Sequence, residues 1–387
     1  MLSGIRVLDL SRVMSGPYCT ALLADLGAEV IKIETPGSGD DSRNFGPFVG
    51  EASVYFALLN RTKKSVTLNL KEPRARAILA RLAAKCDVVV ENFRPGVAAR
   101  LECDAPRLRA INPRLVYAAI SGYGHTGPKA GRGGYDIIAQ GESGLMALTG
   151  GADDGPIRFP TPMSDITAGI YTVIGILTAL LARAQSGIGQ FIDVSLVDAQ
   201  TTWLANIAGS YFATGRRPKK IGNLHPTITP YQPVRTKDKT ILIAVGTESL
   251  WQRLCKVLGV EETLMRDPRF ISNPQRNEHR QQLIPLLEAI LATRTADEWL
   301  ADFVAHEIPA GPINFPDETL NDEHLKARGM VVELEHPLAG LVRSIGNPIH
   351  LSETPPTYRR YPPRLGEHNA EIAEWLAAVP APINEGA

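Results

Sequence analysis

Short apolar strands alternate with helices over the first 120 residues, and this alternation constrains the fold most strongly. "GIRVLDLS", "YCTALLADLG" and "AEVIKIE" form one strand–helix–strand unit, and "SVTLNL", "KEPRARAILARLAAK", "CDVVVEN" and "RLVYAAIS" continue the pattern. Such units with mostly apolar strands indicate a parallel sheet covered by helices on both faces. The sequence therefore predicts a Rossmann-like, doubly wound α/β domain.

A change of pattern near residue 200 predicts a second, smaller α+β domain. The stretch "GRRPKKIGNLHPTITPYQPV" is rich in glycine, proline and basic residues, which is typical of a linker. A short strand and three helical patterns follow it. We predict a large α/β domain over 1–200, a linker over 201–224, a small domain over 225–325 and a return segment over 326–387.

Composition excludes several classes of function. The formal net charge is +0, so no nucleic-acid partner is indicated. The apolar run 166–182 is short for a membrane span and predicts a buried core helix. The first residues, "MLSGIRVLDLSR", lack the basic and then apolar pattern of a signal peptide, so a cytoplasmic location is expected. A disulfide framework or metal site is not expected, because no CxxC spacing joins the four cysteines: Cys19, Cys86, Cys103 and Cys255.

The loops after the strands are the candidate site, because ligands of parallel α/β sheets bind at the carboxyl ends of the strands. The first loop, "SRVMSGP", lacks the G-x-G-x-x-G of dinucleotide-binding proteins. Basic residues in or near the other loops fit a phosphorylated ligand, although exposed loop charges are often merely solvated. They are Arg61, Lys63, Lys64, Lys71, Arg94 and Arg100.

A lone carboxylate, Asp165, precedes the uncharged run 166–182. Two interpretations are open from these residues alone. Aspartate is a common helix N-cap. The unpaired N–H groups of a first helical turn also favour an ionised carboxylate, which suits a nucleophile.

Several ordered motifs resemble the class III CoA-transferases, the superfamily of formyl-CoA transferase, crotonobetainyl/carnitine CoA-transferase and α-methylacyl-CoA racemase. They include "GIRVLDLSRVMSGPYCTALLADLGAEVIKIE", "NRTKKSVTLNLK", "VVVENFRPG", "GYGHTGP" and "SDITAGIYTVIGILTALLARAQSGIGQFIDVS". The sequences of the segments "GSGDDSRNFGP" and "GNLHPTITPYQ" are most similar to the branch of the family that uses succinyl-CoA and dicarboxylates. The resemblance implies that CoA arrives as an acyl-CoA substrate, with no permanently bound cofactor and no metal.

The resemblance assigns the nucleophile to Asp165. The implied intermediates are an acyl-aspartyl anhydride and an aspartyl-CoA thioester, and backbone N–H groups near Ser15, Gly16 or Gly222 would stabilise the oxyanions. The CoA contacts implied by position are Val13, Met14, Ser15, Leu68, Lys71, Asn92, Phe93, Arg94, Arg100, Arg132 and Tyr135.

The chain departs from the family pattern at Thr35, where many relatives have an arginine that holds the adenosine phosphate of CoA. Arg100, Lys64 or Lys71 would then have to compensate. For a dicarboxylate acceptor, Arg43 or Arg158 is expected to hold the distal carboxylate.

A racemase of the α-methylacyl-CoA type is the alternative activity. A racemase needs a second base, which is a histidine in the racemase branch of the family. This chain has Tyr135 at the matching position. A free tyrosine side chain has a pKa near 10 and is a poor base at neutral pH, so the resemblance favours the transferase. His125 and His225 are further candidates, but both lie in Gly- or Pro-rich loops and are expected to be structural. A non-catalytic CoA-binding paralogue is a third possibility. The resemblance also implies an interlocked homodimer in which the C-terminal segment packs on the large domain.

Overall fold

The computed structural model describes residues 2–337 and 339–378. Its strands are β1 Arg6–Asp9, β2 Glu29–Glu34, β3 Phe48–Val49, β4 Ala52–Ser53, β5 Lys64–Thr67, β6 Val88–Glu91, β7 Val116–Ser121, β8 Phe191–Ser195, β9 Tyr231–Arg235, β10 Thr240–Ala244, β11 Ala310–Pro312, β12 Val331–His336 and β13 Gly340–Ile345. Its helices are α1 Ser15–Asp25, α2 Val54–Asn60, α3 Pro73–Ala83, α4 Val97–Arg100, α5 Ala105–Ile111, α6 Asp136–Glu142, α7 Met163–Ser186, α8 Leu196–Thr201, α9 Ala205–Thr214, α10 Glu248–Leu258, α11 Asn273–Glu278, α12 Arg280–Leu291, α13 Ala296–Ala305, α14 Pro316–Asn321, α15 Glu323–Ala327 and α16 Asn369–Ala378.

A six-stranded sheet with the order β5-β2-β1-β6-β7-β8 lies at the centre of the larger unit. All five strand pairs are parallel, as predicted. The chain moves outward from β1 to β2 and β5, and then returns to the other side of β1 for β6, β7 and β8. The order therefore reverses between β1 and β6, and ligands of doubly wound sheets bind beside such a reversal.

Both faces of this sheet are covered by helices. On one face, the strand residues Leu8, Ile31 and Val89 share an apolar cluster with residues of α3 and α5. Ile372 and Leu376 of α16 belong to the same cluster. The other face packs against α1 and α7. The interior strands β6 and β7 are buried at every residue, which explains their continuous apolar sequences.

The helix α7 is 24 residues long and is apolar enough to cross a membrane by length and composition. Its buried residues Val173, Ile176 and Ala179 share an apolar cluster with Cys19 and Leu23 of α1. Gly169 makes this packing possible, because a Cβ built there would lie 2.9 Å from the carbonyl oxygen of Ser15. One face of α7 therefore packs as the predicted core helix does, whereas Ile174 and Leu181 elsewhere on the helix are 52% and 72% exposed.

The chain divides into two compact units. The smaller unit comprises Ala147–Ile157 and Arg216–Asp322. It contains the antiparallel sheet β11-β10-β9 and helices that bury Trp251, Phe270 and Phe303. The larger unit contains α9, which occupies much of the segment that the sequence predicts as a linker.

Candidate active site

A cleft of about 210 Å³ opens where the order of the central sheet reverses. Its walls come from the loop after β1, the loop after β6, the end of β7 and the first turns of α6 and α7. Seven residues predicted from the sequence meet here: Val13, Met14, Ser15, Asn92, Phe93, Tyr135 and Asp165. Gly134 also lines the cleft and lies in the segment 132–135 that the resemblance assigns to CoA; the sequence did not single out the other lining residues, which are Arg12, Ile120, Ser121, Asp136 and Leu196.

The loop after β1 is held in an unusual conformation at Val13. Its φ is +66°, in the left-handed region that β-branched residues rarely adopt. The carboxylate of Asp40 accepts the Val13 N–H at 3.2 and 3.3 Å, and Asp40 pairs with Lys32 at 2.8 Å with both side chains fully buried. Because strain of this kind persists only where surrounding contacts impose it, the buried ion pair fixes the shape of the cleft wall.

Asp165 is the third residue of α7, and Pro162 is the N-cap. The interpretation of Asp165 as an ordinary N-cap is therefore wrong. A carboxylate from another helix provides a first-turn acceptor instead: Oδ1 of Asp136 accepts the N–H of Ser164 at 2.8 Å. The side chain of Asp165 is thus left to face the cleft.

The electrostatics of Asp165 differ from the expectation based on the helix terminus. Burial, and next the negative charge of Asp136, raise its pKa to about 7, while a hydrogen bond from the Ser15 hydroxyl lowers it. Desolvation and like charge thus oppose the effect of the first helical turn, and the predicted ionised form of this carboxylate is favoured only above about pH 7.

Asp136 is a site residue that the sequence reasoning missed. Gln140, one turn later in α6, donates to Oδ2 of Asp136 at 2.7 Å. The same amide accepts the N–H of Phe159 at 2.8 Å. These bonds attach α6 to the segment that leads into α7. The available signal was the i, i+4 pair of polar residues in "YDIIAQ", which places both side chains on one face of a helix.

A second cleft of about 530 Å³ shares Arg12 and Phe93 with the first. Leu68 and Lys71, both predicted, line it. The guanidinium of Arg12 donates to Oγ1 of Thr35 at 3.4 Å. Arg12 therefore places a cation beside the position where the family arginine is missing, a role for which the sequence suggested Arg100, Lys64 or Lys71.

Three predicted CoA contacts lie outside the walls of both clefts. The guanidinium of Arg94 binds the carbonyl of Gly131 at 2.6 Å. Arg100 ends α4 and is exposed, and Arg132 lies over the ring of Tyr123 at 5.8 Å. Their contacts with CoA stay predictions.

Two proposed cations are already committed to other groups. Arg43 makes a two-pronged ion pair with Glu34 at 2.7 Å and lies over the ring of Phe56 at 3.7 Å. Lys64 begins β5 and so lies at the amino-terminal end of that strand, whereas the larger cleft is lined by residues that follow its carboxyl end. Its ammonium pairs with Glu29 and Glu371. Neither geometry offers a free cation to a substrate, whereas the exposed Arg158 binds only a neighbouring carbonyl, Pro160 O, in the described hydrogen bonds.

The remaining sequence candidates are arranged as follows. Tyr135 lines the cleft with 80% of its surface exposed. The backbone N–H of His125 donates to Asp193 at 2.8 Å, and Nδ1 of His225 accepts the N–H of Ile228 at 3.1 Å. Within residues 2–337 and 339–378 all four cysteines are free and buried, and no cluster of three or more potential ligands could hold a metal ion.

Comparison with known proteins decides the family. The model of CoA-transferase family III matches residues 2–369. The chain belongs to CoA-transferase family III. A succinate–glutarate CoA-transferase from Agrobacterium fabrum is 40% identical, with 98% of this chain and 96% of that protein covered. An acetyl-CoA:oxalate CoA-transferase from Acetobacter aceti is 41% identical, with 98% of this chain and 96% of that protein covered.

The fold of this CoA-transferase agrees with solved structures of its relatives. A CAIB/BAIF family protein from Brucella suis superposes with a TM-score of 0.88 at 40% identity, covering 97% of this chain and 99% of that one. The predicted parallel α/β fold and the predicted family are thus confirmed. Membership implies CoA as a substrate, so the two clefts are the candidate sites for an acyl-CoA.

Proposed function

We propose that this enzyme transfers CoA from an acyl-CoA thioester, with succinyl-CoA as the first candidate, to a carboxylic or dicarboxylic acid through covalent intermediates on Asp165. The observation that carries the proposal is the placement of Asp165 in the wall of a cleft that shares Arg12 and Phe93 with a larger cleft. The larger cleft suits the nucleotide end of CoA, and the smaller one suits the thioester.

The first half of the reaction releases the donor acid. An ionised Asp165 oxygen attacks the thioester carbonyl, and the C–S bond breaks to give CoA thiolate and an acyl-aspartyl anhydride. The thiolate then attacks the Asp165 carbonyl carbon. The donor leaves as a free carboxylate, and Asp165 carries CoA as a thioester.

The second half repeats these steps with the acceptor. Its carboxylate attacks the aspartyl-CoA carbonyl and expels the thiolate, which gives a new anhydride. The thiolate finally attacks the acyl carbonyl, so the product acyl-CoA forms and Asp165 is regenerated. Each tetrahedral step needs donors for an oxyanion. The first turn of α1 begins at Ser15, which lines the cleft, and its backbone N–H groups are the candidate donors.

The acceptor is proposed to be a short dicarboxylate. Named relatives at about 40% identity act on glutarate and on oxalate. Arg12 is the cation shared by both clefts, and the committed ion pair of Arg43 argues against its earlier assignment to the distal carboxylate. Arg158 remains the candidate for that role.

A trapping experiment tests the mechanism. The enzyme is incubated with succinyl-CoA, treated with hydroxylamine and mapped by mass spectrometry, while acyl exchange is followed with a panel of dicarboxylates. We expect a hydroxamate on Asp165 and loss of exchange in Asp165→Ala. Full exchange in that variant would refute the nucleophile. Exchange of the substrate's α-proton without acyl exchange would instead support the racemase alternative, for which the described cleft lining offers no histidine.

The assembly is proposed to be a homodimer, interlocked as the family resemblance implies. None of the ten residues of α9, all of them described, is buried, although the helix is apolar. Phe212 is 81% exposed. A second copy of the chain would cover this surface. Native mass spectrometry should report a dimer that Phe212→Asp weakens, whereas Val304→Asp, at an equally exposed site of the smaller unit, should leave the mass unchanged.

A further inference from the structure

Asn92 has an unambiguous orientation in the cleft wall. Its Oδ1 accepts the N–H of Arg12 at 2.8 Å, and its Nδ2 donates to the Arg12 carbonyl at 2.8 Å. A backbone N–H can only donate and a carbonyl can only accept, so the two bonds together fix which end of the amide is which. The pair also joins the loop after β6 to the loop after β1, across 80 residues of sequence.

This orientation determines the direction of a neighbouring hydroxyl. Nδ2 of Asn92 also donates to Oγ of Ser15, at 3.3 Å. The Ser15 oxygen therefore serves as an acceptor on that side, and its own proton is available on the other. Ser15 and Asp165 line the same cleft. The Ser15 hydroxyl also lowers the pKa of the Asp165 carboxyl, which is the direction expected of a donor to the ionised form.

Packing holds the two helices that carry these groups close together. Ser15 begins α1, Asp165 lies in the first turn of α7, and Gly169 follows Asp165 by one turn. Any side chain at Gly169 would meet the carbonyl oxygen of Ser15 at 2.9 Å and the ring of Tyr18 at 3.0 Å. Ser15 can thus approach Asp165 only because α7 lacks a Cβ at that point.

We infer that Asn92 and Ser15 form a directed hydrogen-bond relay to Asp165, in which Asn92 is a positioning residue and Ser15 donates to the ionised nucleophile. The inference rests on the proposed role of Asp165. It changes the expected function of Asn92: both polar atoms of its amide are engaged with the protein, so its main contribution is to the nucleophile and not to CoA binding.

The relay opposes the other influences on the carboxyl. Burial, and next the charge of Asp136, raise the pKa of Asp165 and favour its protonated form. Among the neighbours that shift this equilibrium, Ser15 acts in the opposite direction and favours the ionised form. Removal of the hydroxyl should therefore leave fewer enzyme molecules with a competent nucleophile at neutral pH.

The test compares pH profiles of three variants. Ser15→Ala should lower kcat about tenfold, move the acid limb of the kcat/KM profile upward by about half a pH unit or more, and change the KM for acyl-CoA less than about threefold. Asn92→Leu removes the Nδ2 donor without adding a charge, and it should move the acid limb in the same direction, because the Ser15 proton is then free to turn away from Asp165. Ser15→Thr keeps a hydroxyl and should retain most of the activity.

A double-mutant cycle separates the relay from a structural effect. With Ser15→Ala already present, Asn92→Leu should move the acid limb much less than it does alone, since the hydroxyl that Asn92 orients is gone. Additive effects, or a raised KM with an unmoved pH profile, would overturn the relay. The outcomes remain distinct from failure of the proposed function, because acyl exchange in Asp165→Ala would refute the nucleophile whatever the profiles of the other variants.

Discussion

Asp136 accepts the backbone N–H of Ser164 at 2.8 Å, next to Asp165 in the first turn of α7. The carboxylate that stabilises the start of this helix is therefore also the charge that opposes ionisation of Asp165. One side chain thus couples the position of the candidate nucleophile to its protonation.

The first prediction concerns the pH dependence of the reaction. Because the pKa of Asp165 is raised to about 7 and the ionised form attacks, kcat/KM should rise with pH through a midpoint near 7. Asp136→Asn keeps an oxygen that can accept the Ser164 N–H and removes the negative charge, so the midpoint should move to lower pH. An unchanged midpoint in this variant would contradict the electrostatic role of Asp136.

Asp165 should cost the protein stability at alkaline pH. Its folded pKa lies above the ordinary value of 3.8, so ionisation is less favourable in the folded state than in the unfolded chain. We expect Asp165→Asn to raise the free energy of unfolding at pH 8 by about 2 to 4 kcal/mol. The gain should grow between about pH 4 and pH 7 and level off above, as measured by urea denaturation. A gain that does not depend on pH would contradict this origin.

Arg12 should bind the phosphate-bearing end of CoA. Its guanidinium lines both clefts and contacts Thr35. We predict that Arg12→Ala raises the KM for acyl-CoA about tenfold and weakens its dependence on salt, with a smaller effect on kcat. Steady-state kinetics at two ionic strengths measures both effects.

The matched control is Lys64→Met, which removes a cation at the amino-terminal end of β5, away from the cleft residues that follow its carboxyl end. This variant should leave the KM for acyl-CoA within about twofold, because its charge is already paired with Glu29 and Glu371. Equal effects of the two substitutions would indicate a general charge effect and no specific contact of Arg12.

Gly169→Ala should separate α1 from α7. The added Cβ would lie 2.9 Å from the Ser15 carbonyl oxygen and 3.0 Å from the ring of Tyr18. The carbonyl belongs to the backbone of α1 and cannot move without moving that helix. We expect a loss of about 1 to 3 kcal/mol in unfolding free energy together with reduced kcat. Gly246→Ala is the control, since nothing lies within 4 Å of a Cβ there. Thermal unfolding and initial rates of both variants provide the measurement.

The sequence by itself determined the parallel sheet, because the continuous apolar runs of β6 and β7 and the helical patterns between strands are local properties. It also identified the loops after β1 and β6 and the position of Asp165 at the head of α7. Motifs are contiguous in the chain, so the family could be recognised from them and was later confirmed.

Only the tertiary structure decided the electrostatics of the site. Asp136 and Asp165 are 29 positions apart, Arg12 and Thr35 are 23 apart, and Asn92 reaches Ser15 across 77 residues. Helix position alone predicted an ionised Asp165, and the fold gave the opposite tendency. The pKa of a carboxyl depends on burial and on charges that lie near it in space, and a linear pattern specifies neither of them.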